Sequence, residues 1–174
     1  MSDIVTTLTL DALRETLQAS GYRVEQLTDP VANVPYLRSA TAGLAFDVRP
    51  GNRFVGEDQG FADVAFVAAL QVQGELPLDI VNRWNVTRRF GRLQLSQPFL
   101  VFCLDVSVAG GVAPNYLRGQ VEIWDRLVQE LIAYLRDELQ KLGAAQSQTV
   151  QNPTATTDAP VRDASAEANA ATIQ

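Results

Sequence analysis

Apolar residues recur at helical spacing in three segments of the chain. Three leucines placed three and four positions apart predict a first helix over 10–20, with Thr9 as its N-cap. A shorter stripe that follows a proline predicts a second helix over 77–88. Eight apolar residues spaced by three, four and seven predict a long third helix over 114–142.

Between these helices, apolar and polar residues alternate with a period of two, which is typical of strands that bury one face. The alternation predicts five to six strands, with candidates at 22–26, 34–38, 44–49, 62–73, 92–96 and 99–107. The alanines of 62–73 would also suit a helix, but its clean alternation favours a strand. The run over 62–73 is apolar on both faces near its middle, which indicates a central strand. Pro35 places its strand at a sheet edge or marks the first residue of that strand, and it suggests that this second strand is an edge.

The order of the elements predicts the fold class. Strands joined in hairpins, with helices gathered to one side, are typical of an α+β domain. We therefore expect two layers: a twisted antiparallel sheet of five to six strands, packed by an N-terminal, a middle and a long C-terminal helix, in the order α-β-β-β-β-α-β-β-α.

Composition removes several classes of function. The 174 residues include 20 acidic and 14 basic side chains, for a net charge of -6, with no histidine and one cysteine. The lack of histidine excludes catalytic triads that need an imidazole base, and a single cysteine excludes zinc sites of the Cys/His type. An internal disulfide is impossible. We expect no catalytic residue, no metal site, no cofactor and no nucleic-acid partner. Cys103 is predicted to be a small core residue.

The C-terminal part differs from the rest of the chain. Every aromatic residue lies between Tyr22 and Tyr134, and residues 143–174 are rich in alanine, threonine and glutamine. Such a segment buries too little apolar surface to offset its ordering entropy. We predict a folded domain over 1–142 and a disordered tail over 143–174. The absence of a signal peptide or a long apolar run predicts a cytoplasmic protein with no membrane association.

Four arginines crowd one short segment that also carries an amide side chain. They are Arg83, Arg88, Arg89 and Arg92, with Asn85 among them. Guanidinium groups grip carboxylate or phosphate in pairs of hydrogen bonds, so one reading is a basic patch that binds an anion. The other reading is structural: the arginines pair with acidic groups such as Asp105, and Asn85 bonds exposed backbone.

Other residues of note are predicted to have structural roles. Trp84 and Trp124 are expected in the core, and Asp105, within an apolar strand, is expected to be buried beside an arginine. Gly110-Gly111 precedes a helix but lacks a phosphate-loop pattern, so it is predicted to be a plain turn.

Several of these residues also form a pattern that resembles a known family. The run from Val81 to Arg92, which contains Trp84, Phe90 and Gly91, is similar to the signature of the bacterial YbjN family. Three further features follow in the order of that family: Asp105 in its strand, then Gly110-Gly111, then Trp124. The resemblance covers about residues 8–140. It implies a regulator of sensory transduction with no assigned reaction, and a fold similar to that of type III secretion chaperones.

Two functional hypotheses follow. The first is a non-enzymatic regulatory protein that binds an unidentified partner protein through its sheet face or a groove, chaperone-like by analogy of fold. It includes a possible homodimer, because Leu139 and Leu142 would be exposed at the end of a long helix. The alternative is a sensor of a small molecule or anion that uses the arginine cluster of residues 83–92.

Overall fold

Three helices and six strands follow one another in the order α-β-β-β-β-α-β-β-α, which confirms the predicted α+β architecture. The computed structural model describes residues 4–53 and 60–150. The helices are α1 (Leu10–Ala19), α2 (Leu78–Thr87) and α3 (Tyr116–Val150). The strands are β1 (Glu25–Thr28), β2 (Pro35–Thr41), β3 (Leu44–Pro50), β4 (Asp63–Gln71), β5 (Arg92–Ser96) and β6 (Phe99–Ser107).

The strands form one antiparallel sheet in the order β1-β2-β3-β4-β6-β5. Strand β4 lies between β3 and β6, as its two apolar faces predict. The suggestion that the second strand is an edge was wrong, because β2 lies between β1 and β3. Pro35 instead opens β2, and at a strand's first residue the missing N–H costs the sheet little.

Strand β1 begins later than the alternation predicted. Tyr22 is held by the end of α1, where its N–H donates to the carbonyl of Leu17 over 3.0 Å. Its hydroxyl donates to Asp125 of α3 over 3.1 Å. These two bonds draw Tyr22 away from the sheet, so the strand starts at Glu25.

One face of the sheet packs on the helices through aromatic side chains. Trp124 of α3 is fully buried and stacks on Phe102 with 5.3 Å between ring centroids. It also meets Phe46 and Phe66 at 5.5 and 5.6 Å. Trp84 of α2, fully buried as well, meets Phe102 edge-on at 5.4 Å. Each such pair stabilises the fold by about 0.5–1.5 kcal/mol beyond its buried area.

Helix α3 is longer than the apolar stripe predicted. It runs from Tyr116 to Val150 instead of ending at Leu142, because alanine and glutamine have favourable helix propensity. The chain divides into the units Met1–Glu138 and Leu139–Gln174, and the sheet and its core lie in the first. Residues 151–174 of the predicted tail lie outside the described residues, so the domain boundary after 142 stays a prediction.

Gly91 joins α2 to β5 at a point where the core leaves no room for a side chain. A Cβ atom on Gly91 would lie 2.4 Å from Cζ of Phe102 and 3.3 Å from Leu127. The carbonyl of Gly91 accepts a hydrogen bond of 3.2 Å from the indole N–H of Trp84. Glycine is therefore required here by the close approach of the Phe102 ring.

We predict that Gly91→Ala destabilises the protein by about 1–3 kcal/mol, because the added methyl group must displace the Phe102 ring. Gly119→Ala on α3 is the matched control, since nothing lies within 4 Å of its Cβ position. That control should stabilise the helix by about 0.5–1 kcal/mol. Urea unfolding of both variants measures the two effects, and equal midpoints would contradict the packing argument.

Candidate functional site

The structure divides the arginine cluster among three places. Arg83 of α2 forms an ion pair with Glu138 at 2.7 Å. Arg92 opens β5 and pairs with Asp105 of β6. The two remaining arginines, Arg88 and Arg89, lie in the connection between α2 and β5 and face α3. Neighbours in sequence are separated because the strand that begins at Arg92 turns its side chain to a different surface.

Arg88 and Arg89 line a cleft of about 200 Å³ between this connection and α3. The wall on α3 adds a third arginine, Arg126. The remaining lining is Phe90, Ile123, Leu127 and Glu130. Sequence reasoning missed Arg126, because nothing in the segment 83–92 shows which turn of a distant helix lies opposite.

Arg88 is held in place on one side of this cleft. Its Nε lies 3.5 Å from a carboxylate oxygen of Glu130, and its guanidinium carbon lies 5.6 Å from the ring centroid of Trp84. By contrast, Arg89 and Arg126 have no carboxylate within 4.0 Å among the described residues. The cleft thus carries three cationic groups and one anionic group.

Phe90 stands at the mouth of the cleft in a strained conformation. Its φ is +70°, and the N–H of Gly91 donates to the carbonyl of Arg89 over 2.9 Å, which makes Phe90 the centre of a γ-turn. Turns of this hand are rare and strained, and more so around an aromatic residue. The Phe90 side chain is nevertheless 69% exposed. Local strain of this kind clusters at binding sites.

Asn85 has its hydrogen-bonding groups occupied by the edge strand β5. Its amide nitrogen donates to the carbonyl of Leu93 over 2.8 Å, and its amide oxygen accepts from the Leu93 N–H at 2.9 Å. This pair of bonds satisfies outward-facing backbone of β5 and ties that strand to α2. The arrangement follows the structural reading of Asn85, with the strand after the loop as its partner.

The glycine pair Gly110-Gly111 forms a turn after β6. Both residues have positive φ, of 84° and 88°, and the Gly111 N–H donates to the carbonyl of Val108 over 2.9 Å. Val112, next along the chain, exchanges backbone hydrogen bonds with Val5. The pair therefore turns the chain back toward the N-terminal segment.

The sheet face opposite the aromatic core presents a second candidate surface. One register row crosses it from β2 to β5 and consists of Arg38, Asp47, Val67, Cys103 and Arg92. We call this surface the open face. A groove of about 450 Å³ on it has an apolar floor and a charged wall. The floor residues are Val67, Ala69 and Val101, and the wall is formed by Arg38, Asp47 and Arg49.

The charged wall is a network of paired groups. Asp47 accepts from Arg38 at 2.8 Å and from Arg49 at 3.0 Å. Arg49 also donates to Asp29 at 2.9 Å, and its guanidinium carbon lies 4.5 Å from the ring centroid of Tyr36. The pKa of Asp29 is lowered to about 2, first by the backbone N–H of Ala32 and then by Arg49.

The far side of the open face carries the pair Arg92–Asp105. The predicted arginine partner of Asp105 is present, but the expectation of burial was wrong, because both side chains are 55% exposed. Asp105 lies on the side of β6 that turns away from the helices. Next to the pair, Cys103 is 6% exposed. Burial raises the pKa of its thiol, Arg92 opposes this effect, and Asp105 adds to it.

Comparison with protein-family models places these features in a known family. The model described as "Putative bacterial sensory transduction regulator" matches residues 9–137, which include the whole sheet and both candidate surfaces. The chain belongs to the YbjN family. No curated protein and no solved structure matched it. The similarity of fold to type III secretion chaperones therefore stays a prediction.

Within residues 4–53 and 60–150, no helix has the length and apolarity needed to cross a bilayer. In the same ranges, histidine, cysteine and acidic side chains nowhere gather in threes around a possible metal position.

We predict that the YbjN chain loses stability as the pH falls from 3.8 to about 2, because Asp29 stays ionised in the folded state and takes up a proton in the unfolded chain. Asp29→Asn keeps the acceptor oxygen for the Val31 and Ala32 N–H groups but removes this titration. The difference in urea midpoint between wild type and variant should be constant above pH 5 and shrink below about pH 4. Parallel profiles down to pH 2 would contradict the role of Asp29.

Proposed function

We propose that this YbjN protein is a non-enzymatic, cytoplasmic regulatory protein that binds another protein through the open face of its sheet. Membership of the family supports a regulatory role. The observation that carries the binding proposal is the apolar strip of Val67, Ala69 and Val101 between two sets of paired charges.

The strip suits an apolar segment of a partner protein. Its side chains are small, so a partner chain can approach the sheet closely, and Ala69 is exposed while Val67 and Val101 are half-buried. The charges on either side are already paired with one another. They can therefore form a polar rim around an apolar contact without leaving an unpaired charge at its centre.

The absence of an enzymatic role is supported by the state of the reactive groups. The chain has no histidine to serve as a general base. Cys103 is nearly buried and its thiol pKa is raised, so the nucleophilic thiolate is disfavoured at neutral pH. The carboxylates of Asp47 and Asp105 are engaged with arginines.

We predict that Ala69→Glu weakens binding of the partner protein. The new carboxylate would be desolvated in the apolar strip without an ion-pair partner, at a cost of about 1–3 kcal/mol, so capture should fall by about tenfold. Affinity capture from the native host, followed by mass spectrometry, identifies the partner. Purified partner then gives the dissociation constants.

Ala133→Glu is the matched control, because Ala133 is an exposed residue of α3 and the substitution changes the charge equally. This variant should bind the partner as the wild type does. Thermal unfolding shows that both variants remain folded. A partner retained by folded Ala69→Glu, or lost equally by both variants, would overturn the open-face proposal.

A second copy of the chain is an alternative occupant of the same surface. Sedimentation of the wild type over a range of concentrations measures self-association, and comparison with Ala69→Glu assigns the surface. A dimer that Ala69→Glu dissociates would make the partner a second YbjN chain. A wild type that stays monomeric at tens of micromolar would remove the homodimer from the proposal.

The second candidate function is recognition of a small anion, and the three arginines around the cleft at Phe90 favour it. A thermal-shift screen with nucleotides and phosphorylated metabolites tests this function. We expect a rise in the unfolding midpoint that Arg88→Ala or Arg89→Ala abolishes. No shift with any compound would count against it.

A further inference from the structure

The cleft beside Phe90 concentrates positive charge in an acidic protein. Its described lining contains three arginines, Arg88, Arg89 and Arg126, and one acidic residue, Glu130, for a net charge of about +2, while the whole chain carries -6. Among the described residues, Arg89 and Arg126 have no carboxylate within salt-bridge distance. Two guanidinium groups are thus available to a ligand, each with a planar set of donors that matches an oxyanion.

The rest of the cleft is apolar. Ile123 and Leu127 form its floor on α3, and Phe90 presents its ring at the mouth. A strained γ-turn holds that ring away from the core. An oxyanion bound by the arginines would therefore have an aromatic surface beside it, against which a planar group can stack.

The volume limits the size of the ligand. The cleft volume of about 200 Å³ is smaller than the pockets of about 300–1,000 Å³ that hold drug-sized ligands. One oxyanion and one small ring fit this space.

We infer that this cleft binds a carboxylate or phosphate monoester carried on a small planar apolar group, with Arg89 and Arg126 on the oxyanion and Phe90 against the ring. Arg88, positioned by Glu130 and Trp84, supplies the third cation. The inference rests on the anion-recognition candidate above and is independent of partner binding at the open face. It replaces the sequence-predicted set, because Arg83, Asn85 and Arg92 are engaged elsewhere.

The test is calorimetric titration of the full chain with phenyl phosphate, inorganic phosphate and phenol. We expect phenyl phosphate to bind more tightly than either fragment, and its affinity to fall with added salt. Arg126→Gln and Arg89→Gln should each weaken the binding of phenyl phosphate by about tenfold or more, since each removes charge-assisted hydrogen bonds. Phe90→Asn, which tolerates a positive φ, should reduce its affinity to that of inorganic phosphate.

Two further variants make the test specific to the cleft. Arg118→Gln changes the net charge by the same amount at an exposed pair with Glu122, and binding should be unchanged. Glu130→Gln removes the repulsive carboxylate and should strengthen binding severalfold. Titration with a phosphotyrosine peptide and with free phosphotyrosine separates a protein-borne ligand from a metabolite.

The outcomes distinguish this inference from the function on which it rests. Binding that Arg92→Gln or Arg83→Gln weakens, but that Arg126→Gln and Phe90→Asn leave unchanged, would overturn the inference and keep anion recognition elsewhere in the cluster. No heat of binding for any of these anions at millimolar concentration would overturn both. Equal losses of phenyl phosphate affinity in Arg126→Gln and Arg118→Gln would show non-specific electrostatic attraction and would overturn the proposed binding site.

Discussion

The hydrogen bond from the Trp84 indole to the carbonyl of Gly91 fixes the relation between α2 and β5, and the candidate cleft depends on it. The bond is buried, so losing either partner would leave an unsatisfied polar group in the core. It forces the chain to turn within a few residues of the helix end. At that turn there is no room for a side chain at Gly91, and the ring of Phe90 points to solvent. Packing in the core therefore creates the exposed aromatic residue outside it.

The same constraint places the arginines on different surfaces. Arg88 and Arg89 precede the turn and face α3, whereas Arg92 follows it and lies on the open face, because successive residues of a strand point to opposite sides. Aromatic contacts also link α2 to α3 through β6. Trp84 of α2 contacts Phe102, and Phe102 stacks on Trp124 of α3. The same aromatic core therefore positions both walls of the cleft, the α2–β5 connection and α3.

Hydrophobic periodicity predicted the order of the elements, since strands such as β4 and β6 bury alternate residues and each helix buries one stripe. It failed where a single contact overrode the pattern. Tyr22 alternates like a strand residue but is held by Leu17 and Asp125, and Pro35 reads as an edge signal but opens an interior strand. The site was harder to predict. Arg126 lies opposite Arg89 only because α3 crosses the α2–β5 connection, and no local spacing carries that information.

The two candidate surfaces differ in how their charges are arranged. On the open face, Arg38 and Arg49 are paired with Asp47 and Asp29, so these four charges balance beside the apolar strip. In the cleft, Arg89 and Arg126 have no carboxylate within salt-bridge distance in the part of the chain that the structure describes, and Glu130 offsets one of the three cations. An acidic chain that keeps three arginines around an apolar pocket maintains a local positive potential against its own net charge. That potential would attract small anions to one surface while the other remains available to a protein.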